Sequence, residues 1–292
     1  MRARALSAGI AGAAPTLVLL CGLLTGSAAF AADDRGSILG YARWAEDAVE
    51  GPPADVHLLD ELAQRLADLA AERRREQAPD APELAPDPGL RLAAQAHALD
   101  MLERAYLDHL DPDGRDVGDR VAILDRRFIG LTGENLAEHI GIAPDRLGEQ
   151  VGPLAAKIAD GWLSSRGHRE NLLSPDYSHA GMAAAGRGER IVMVHVLGRQ
   201  IARLQEPVPL EVEQGSTLAL AVEAGEDGPA PQKYAFAPPG KDAGELVTLD
   251  LSSDEVVVDP GAYQLLFLVP TADAERFRVA HGPMLVVRAR AE

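Results

Sequence analysis

The sequence predicts an α+β chain in two parts, and three observations carry that reading. Apolar residues recur at helical spacing through much of the first 163 positions. Two strand-like runs, 180–186 and 191–197, follow on either side of Gly186-Arg187-Gly188. After Pro207 the texture changes to short alternating runs such as Leu218/Leu220/Val222 and Tyr263/Leu265/Phe267/Val269. Turn clusters such as Asp259-Pro260-Gly261 separate them, which is the pattern of a small all-β sandwich. A length of 292 residues has room for two ordinary domains, and the change of texture puts a boundary near Gln205.

Taken in order, the chain opens like a secretory signal. Arg2 and Arg4 form a basic start, positions 10–24 an apolar run, and Ala29-Phe30-Ala31 a small-x-small cleavage site. Pro15 interrupts the apolar run, which is short for a membrane span, so residues 1–31 are expected to be removed rather than to anchor the chain. The expected location is outside the cytoplasm, secreted or periplasmic. The single cysteine, Cys21, falls in this segment, behind a Leu20 that is large for a lipoprotein signal. A mature chain starting after Ala31 has no cysteine, and must hold together by its core alone.

Residues 32–56 form an N-terminal helix and linker: Ile38, Leu39, Tyr41, Trp44 and Ala48 are amphipathic, and Gly51-Pro52-Pro53 stops them. Leu58, Leu59, Leu62, Leu66 and Leu69 mark a helix over 58–75, with Arg73-Arg74-Arg75 suiting its C-terminal end. Four prolines make 78–88 a loop, and Asp87-Pro88-Gly89 opens a helix over 90–107. Turns follow at 111–114 and 130–133, then a short helix at 135–140. Leu154, Ile158, Trp162 and Leu163 share one face of a helix over 151–163. Gly167 is its expected left-handed stop, placing His168 just past a helix terminus.

Lys+Arg 28 against Asp+Glu 45 gives a net charge of -17, which argues against nucleic acid and anionic membranes as partners. Several motifs then fall in sequence: Leu92-Ala93-Ala94-Gln95-Ala96-His97 with Asp100-Met101; His109 with Asp113-Gly114 and Arg120; Gly133-Glu134-Asn135-Leu136-Ala137; Trp162 with Ser165; Gly167-His168-Arg169; Asn171-Leu172-Leu173. Each piece is weak alone, but their joint order and spacing resemble the bacterial branch of the CAP superfamily, named for cysteine-rich secretory, antigen 5 and pathogenesis-related proteins and also called the SCP domain. The resemblance covers about 58–198 and leaves the β-sandwich outside it.

The resemblance implies an α-β-α sandwich over 57–204, and the strand texture after Pro207 predicts a small all-β sandwich over 205–292. It also implies a cleft lined by His109, Glu134 and His168. A fourth cleft histidine of many family members would fall at Val192, and Val194-His195 stands where the family has Thr-Gln. His109 and His168 could together hold a divalent metal such as zinc through neutral imidazoles, with Glu134 as ligand or as acceptor behind the ligands. In the blander reading Glu134 merely fixes the cleft. No cofactor is required.

His195 shares a strand face with Ile191, Met193 and Leu197 and reads as a satisfied core or edge histidine. His97 and Asn135 read as structural, and His139 and His179 as solvated. Asp111, Asp113, Asp116 and Asp119 lack the glycine and glutamate positions of a calcium loop and read as turn residues. Ser164 and Ser165 lack a nucleophile elbow and close a helix. Three functional readings stand. In the first, the cleft binds a lipid, cell-envelope, protein or metal ligand without proven catalysis. In the second, the protein is a metal-dependent hydrolase with Glu134 as candidate catalytic base. In the third, it is a structural envelope module with an inert cleft.

Overall fold

The computed structural model describes residues 34–225, 228–238, 246–253, 255–273 and 276–290. The expected signal segment with Cys21 lies outside the described residues. Helix α1 (Ile38–Glu50) begins at Ser37, whose side chain accepts from the Gly40 N–H. Strand β1 (Val56–Leu58) and α2 (Asp60–Gln77) follow, then the two-residue β2 (Ala85–Pro86). Asp87 caps α3 (Pro88–Glu103), and Asp116 and Asp119 form a reciprocal capping box on α4 (Val117–Leu124). Strand β3 (Phe128–Ile140) leads through two 3-10 turns to α5 (Val151–Ser164) and α6 (Arg166–Leu173). Strands β4 (His179–Arg187) and β5 (Arg190–Leu204) form the expected hairpin.

Three expectations are corrected. The turn expected at 130–133 lies inside β3, where its four residues pair with 197–200 of β5. The short helix at 135–140 is the second half of β3, because every residue from Asn135 to Ile140 pairs across to β5. Six residues with apolar positions at 136, 137 and 140 satisfy either period, and the sheet partner decides. Gly167 does not end a helix either. The chain leaves α5 earlier, at Ser165, whose extended backbone (φ -89, ψ 125) caps α5 and starts α6. His168 therefore sits in the first turn of a second helix rather than in a loop.

The β strands separate two helical layers. Val192, Val194 and Val196 on one face of β5 pack with α1, α3 and α4, whereas Ile191 and Met193 on the other pack with α2, α5 and α6. This is the α-β-α arrangement. The β region follows as β6 (Glu211–Glu213), β7 (Val222–Ala224), β8 (Lys233–Ala237), β9 (Leu249–Asp250), β10 (Gly261–Pro270) and β11 (Phe277–Arg288). Its strands continue the same sheet, in the order β1-β4-β5-β3-β11-β10-β8-β9. The joint along this order is a single pair of His281 in β11 with Gly130 in β3, and β7 adds three pairs to β5, Ala224, Glu223 and Val222 against Ala202, Arg203 and Leu204. A third core supports it, in which Ile129, Ile201 and Leu204 pack with Tyr234, Phe236, Leu265, Phe267 and Leu285. Strands β3 and β5 thus run through both the helical cores and the C-terminal core.

Gly130 lies at the β3 irregularity where this joint forms, and a Cβ there would collide with the Arg199 carbonyl oxygen. Gly130→Ala is expected to lower stability by about 1–3 kcal/mol or more, since the obstacle is backbone. Urea unfolding followed by circular dichroism checks this; an unchanged midpoint would show that the bulge relaxes freely.

Candidate functional site

In the sheet order β3 lies between β5 and β11, yet β11 touches it only at Gly130, so residues beyond Gly130 form a free edge. An uncovered edge leaves carbonyls without partners. Here side chains cover it: Trp162 Nε1 donates to the Leu136 carbonyl at 3.0 Å and Asn171 Nδ2 to the Glu134 carbonyl at 3.0 Å. Asn135 turns to the same layer, where its Nδ2 donates to the His168 carbonyl and its Oδ1 accepts from Asn171 Nδ2. The helix pair α5–α6, and His168 with it, is pinned to the edge of β3. Asn135 is structural, as expected.

Alternation sends the Glu134 side chain to the opposite layer. It is buried, and three groups meet it there. His97 Nδ1 of α3 lies 2.9 Å from Oε1, Arg120 Nη2 of α4 donates to the same oxygen at 2.9 Å, and His109 Nδ1 lies 2.9 Å from Oε2. Burial alone would raise the Glu134 pKa. The Arg120 charge and the bonds from His109 and His97 outweigh it and hold the carboxyl well below the usual range. An ionised carboxylate only accepts, so both histidines must donate through Nδ1. His97 is fully buried, with burial pushing its pKa down and Glu134 opposing, and its Nε2 has no partner. His109 is different: its side chain is 55% exposed, and with Nδ1 committed its Nε2 is free for a ligand. Bonding to Glu134 raises its pKa, whereas burial and then the His109 charge lower that of His168. On acidification His109 therefore takes its proton first.

The three expected cleft residues are thus brought together unequally. Glu134 is the buried anchor, His109 the exposed imidazole on it, and His168 a half-buried imidazole near enough to feel the His109 charge. Among the described residues no three His, Cys, Asp or Glu side chains are arranged to hold a metal ion. With both Glu134 oxygens engaged, the residues present do not fit a closed zinc site. Val192, at the fourth position, is fully buried and pairs with Glu138 and Ala185. His195 lies in the core as expected, stacked on Trp162 at 5.7 Å, but its Nδ1 has no partner.

Arg120 is the functional residue that sequence reasoning left without a role. Besides Glu134 it bonds the carbonyls of Arg115 (2.8 Å) and His109 (3.1 Å), so one guanidinium holds both the carboxylate and the loop carrying its partner. Its signal is a lone arginine before the apolar stretch Val121-Ala122-Ile123-Leu124. A second arginine extends the network. Arg115 bonds Asp111 at 2.8 Å and the Arg35 carbonyl at 2.5 Å, and stacks over Tyr41 of α1 at 4.1 Å. The N-terminal helix therefore braces the His109 loop.

Residues 66–197 match the family model of CAP, the Cysteine-rich secretory protein family. YkwD of Bacillus subtilis (strain 168), described as an uncharacterized protein, is 26% identical over 102 residues, covering 35% of this chain and 35% of YkwD. The chain thus spans about a third of that relative's length. An extracellular protein containing a SCP domain from Bacillus anthracis str. Ames is 28% identical, with a TM-score of 0.38 over 48% of this chain and 41% of that one. An outer surface protein from Borrelia burgdorferi is 22% identical, with a TM-score of 0.41 over 49% of this chain and 98% of that one.

Glu134→Ala leaves Arg120, 1% exposed, as an uncompensated buried charge, and is expected to cost about 3–5 kcal/mol in urea unfolding. In Glu134→Gln the His109 pKa, read by NMR, should fall back toward its ordinary 6.5; a value still raised would remove Glu134 as its partner. The sign for stability follows from the depressed Glu134 pKa. Its contribution is fully present above the ordinary 4.5 and is lost as pH falls from there through the folded value. Arg115→Met should speed amide exchange at 109–111 about tenfold, the loss of one charge-assisted hydrogen bond. Unchanged exchange there would show that α1 does not brace the loop.

Proposed function

We propose that this is an exported CAP-domain protein whose cleft binds a ligand through His109 and His168, the ligand being a lipid or another cell-envelope component. The observation that carries the reading is the engagement of Glu134. A carboxylate bonded by one arginine and two imidazoles, with its pKa held far down, is a poor acceptor for a proton. It is well suited to fixing the tautomer and orientation of His109. That disfavours the hydrolase reading, which needs Glu134 as base. Export is supported by the basic start, apolar run and Ala29-Phe30-Ala31 site. Among the described residues no helix is long and apolar enough to cross a membrane. We place the boundary of the C-terminal part near Gln205 and assign 205–292 a docking role beside the cleft.

Calorimetric titration with a short-chain phospholipid, dihexanoylphosphatidylglycerol, and separately with zinc chloride tests this on wild type and on the His109→Ala/His168→Ala double variant. The phospholipid is expected to bind wild type, more tightly as pH falls and His109 gains its proton, and to lose that binding in the double variant. Binding that survives in the double variant, or none in the wild type, overturns the reading. Tight zinc binding lost in the double variant would instead restore the metal-dependent hydrolase.

A further inference from the structure

A cavity of about 630 Å³ lies between α4, β3 and the paired strands β10 and β11, where the helical and C-terminal parts of the chain meet. Its size is that of a small-molecule site. Two local features make it. Phe128, Gly130 and Thr132 alternate along one face of β3, so the middle position contributes no side chain. Across from them β11 carries an extra residue: Gln264 pairs with Met284 and Leu266 with His281, which leaves Gly282 and Pro283 opposite Leu265 alone. A Cβ at Gly282 would collide with the Phe267 ring, so this bulge requires glycine. Bulges bend a strand and re-aim its side chains. Here the bulge sets His281 beside Gln264, Nδ1 lying 3.3 Å from Oε1, and both line the cavity.

Polar groups stand on three walls. On α4, Asp116 and Asp119 each give one carboxylate oxygen to the other's backbone N–H. Among the described residues neither has an arginine or lysine partner within ion-pair distance, and their second oxygens remain as acceptors. On β10 and β11, the Gln264 amide and the His281 imidazole both donate and accept. The Thr132 hydroxyl on β3 does the same. Apolar surface lies between these walls, from Val117, Val121, Phe128 and Leu131. Unpaired carboxylates disfavour an anion. A purely apolar ligand would strip water from the polar side chains without replacing its hydrogen bonds. A simple cation would use the acidic wall and leave the other two idle. A sugar ring uses all three, through hydroxyls on its rim, and sets its C–H faces on the apolar surface.

We propose that this cavity is a saccharide site, taking a neutral sugar whose hydroxyls bond Asp116, Asp119, Thr132, Gln264 and His281 while a ring face rests on Phe128 and Leu131. The inference does not rest on the cleft reading, since none of His109, Glu134 and His168 lines the cavity.

The test titrates the protein with two neutral disaccharides, cellobiose and N,N′-diacetylchitobiose, and follows the His281 ring by NMR on labelled protein. At least one is expected to bind and to shift the His281 signal. Gln264→Leu should weaken that binding about tenfold, the equivalent of one hydrogen bond. Thr132→Phe should fill the cavity and abolish binding with circular dichroism unchanged; if it disturbs the fold, Gln264→Leu decides. The His109→Ala/His168→Ala variant should bind the sugar as wild type does, which separates this result from the fate of the cleft. Binding of neither sugar, or undiminished binding in Gln264→Leu, would overturn the proposal. So would hexylamine moving the His281 signal where the sugars do not, because that outcome gives the acidic wall to a cation.

Discussion

The Glu134–Arg120 ion pair is the constraint on which the rest of the site depends. Both partners are buried, and neither could be so without the other, because an isolated charge in the interior costs several kcal/mol. The pair fixes the distance between β3 and α4. His97 then brings in α3, and His109 brings in the loop after it. Three successive segments before β3 thus meet on its one carboxylate. The His109 imidazole is therefore held in place by a buried charge pair.

The opposite side of β3 solves a different problem. An edge strand carries open carbonyls, and Trp162 and Asn171 close two of them, at Leu136 and Glu134. One residue, Glu134, thus has its side chain held by one helical layer and its backbone by the other. His109 and His168 arrive from these two layers, and the strand edge sets their separation. This explains why the chain commits a tryptophan and an asparagine to backbone acceptors: they position α6, and α6 positions His168.

Much of this was legible in the sequence, for definite reasons. The leucines of α2 and the Leu154–Ile158–Trp162 stripe of α5 persist over several turns, which only a helix satisfies. The β4–β5 hairpin announced itself through valines, alanines and a Gly-rich turn. The stretch 135–140 was not legible, because its length fits either period and its partner lies far along the chain in β5. Gly167 misled because a glycine near a helix end is a stop only if the helix has not already ended. Ser165 had ended it. The motifs placed Glu134 and both cleft histidines in one region, but the role of Arg120 depends on tertiary distance and leaves only a lone charge beside an apolar run.

The charge balance of the site decides what it can do. Glu134 and Arg120 cancel, so near neutrality the charge of the cleft is set by His109, with His168 held neutral longer by burial and by its neighbour. In a chain of net charge -17 that makes His109 a local exception, a cation that persists to higher pH than an ordinary imidazole because it bonds Glu134. Val192 belongs to the first core, packed with residues of α3 and α1. Its volume stabilises the layer that carries His97. At that position the strand has a buried apolar side chain that packs the site firmly against the helical layer.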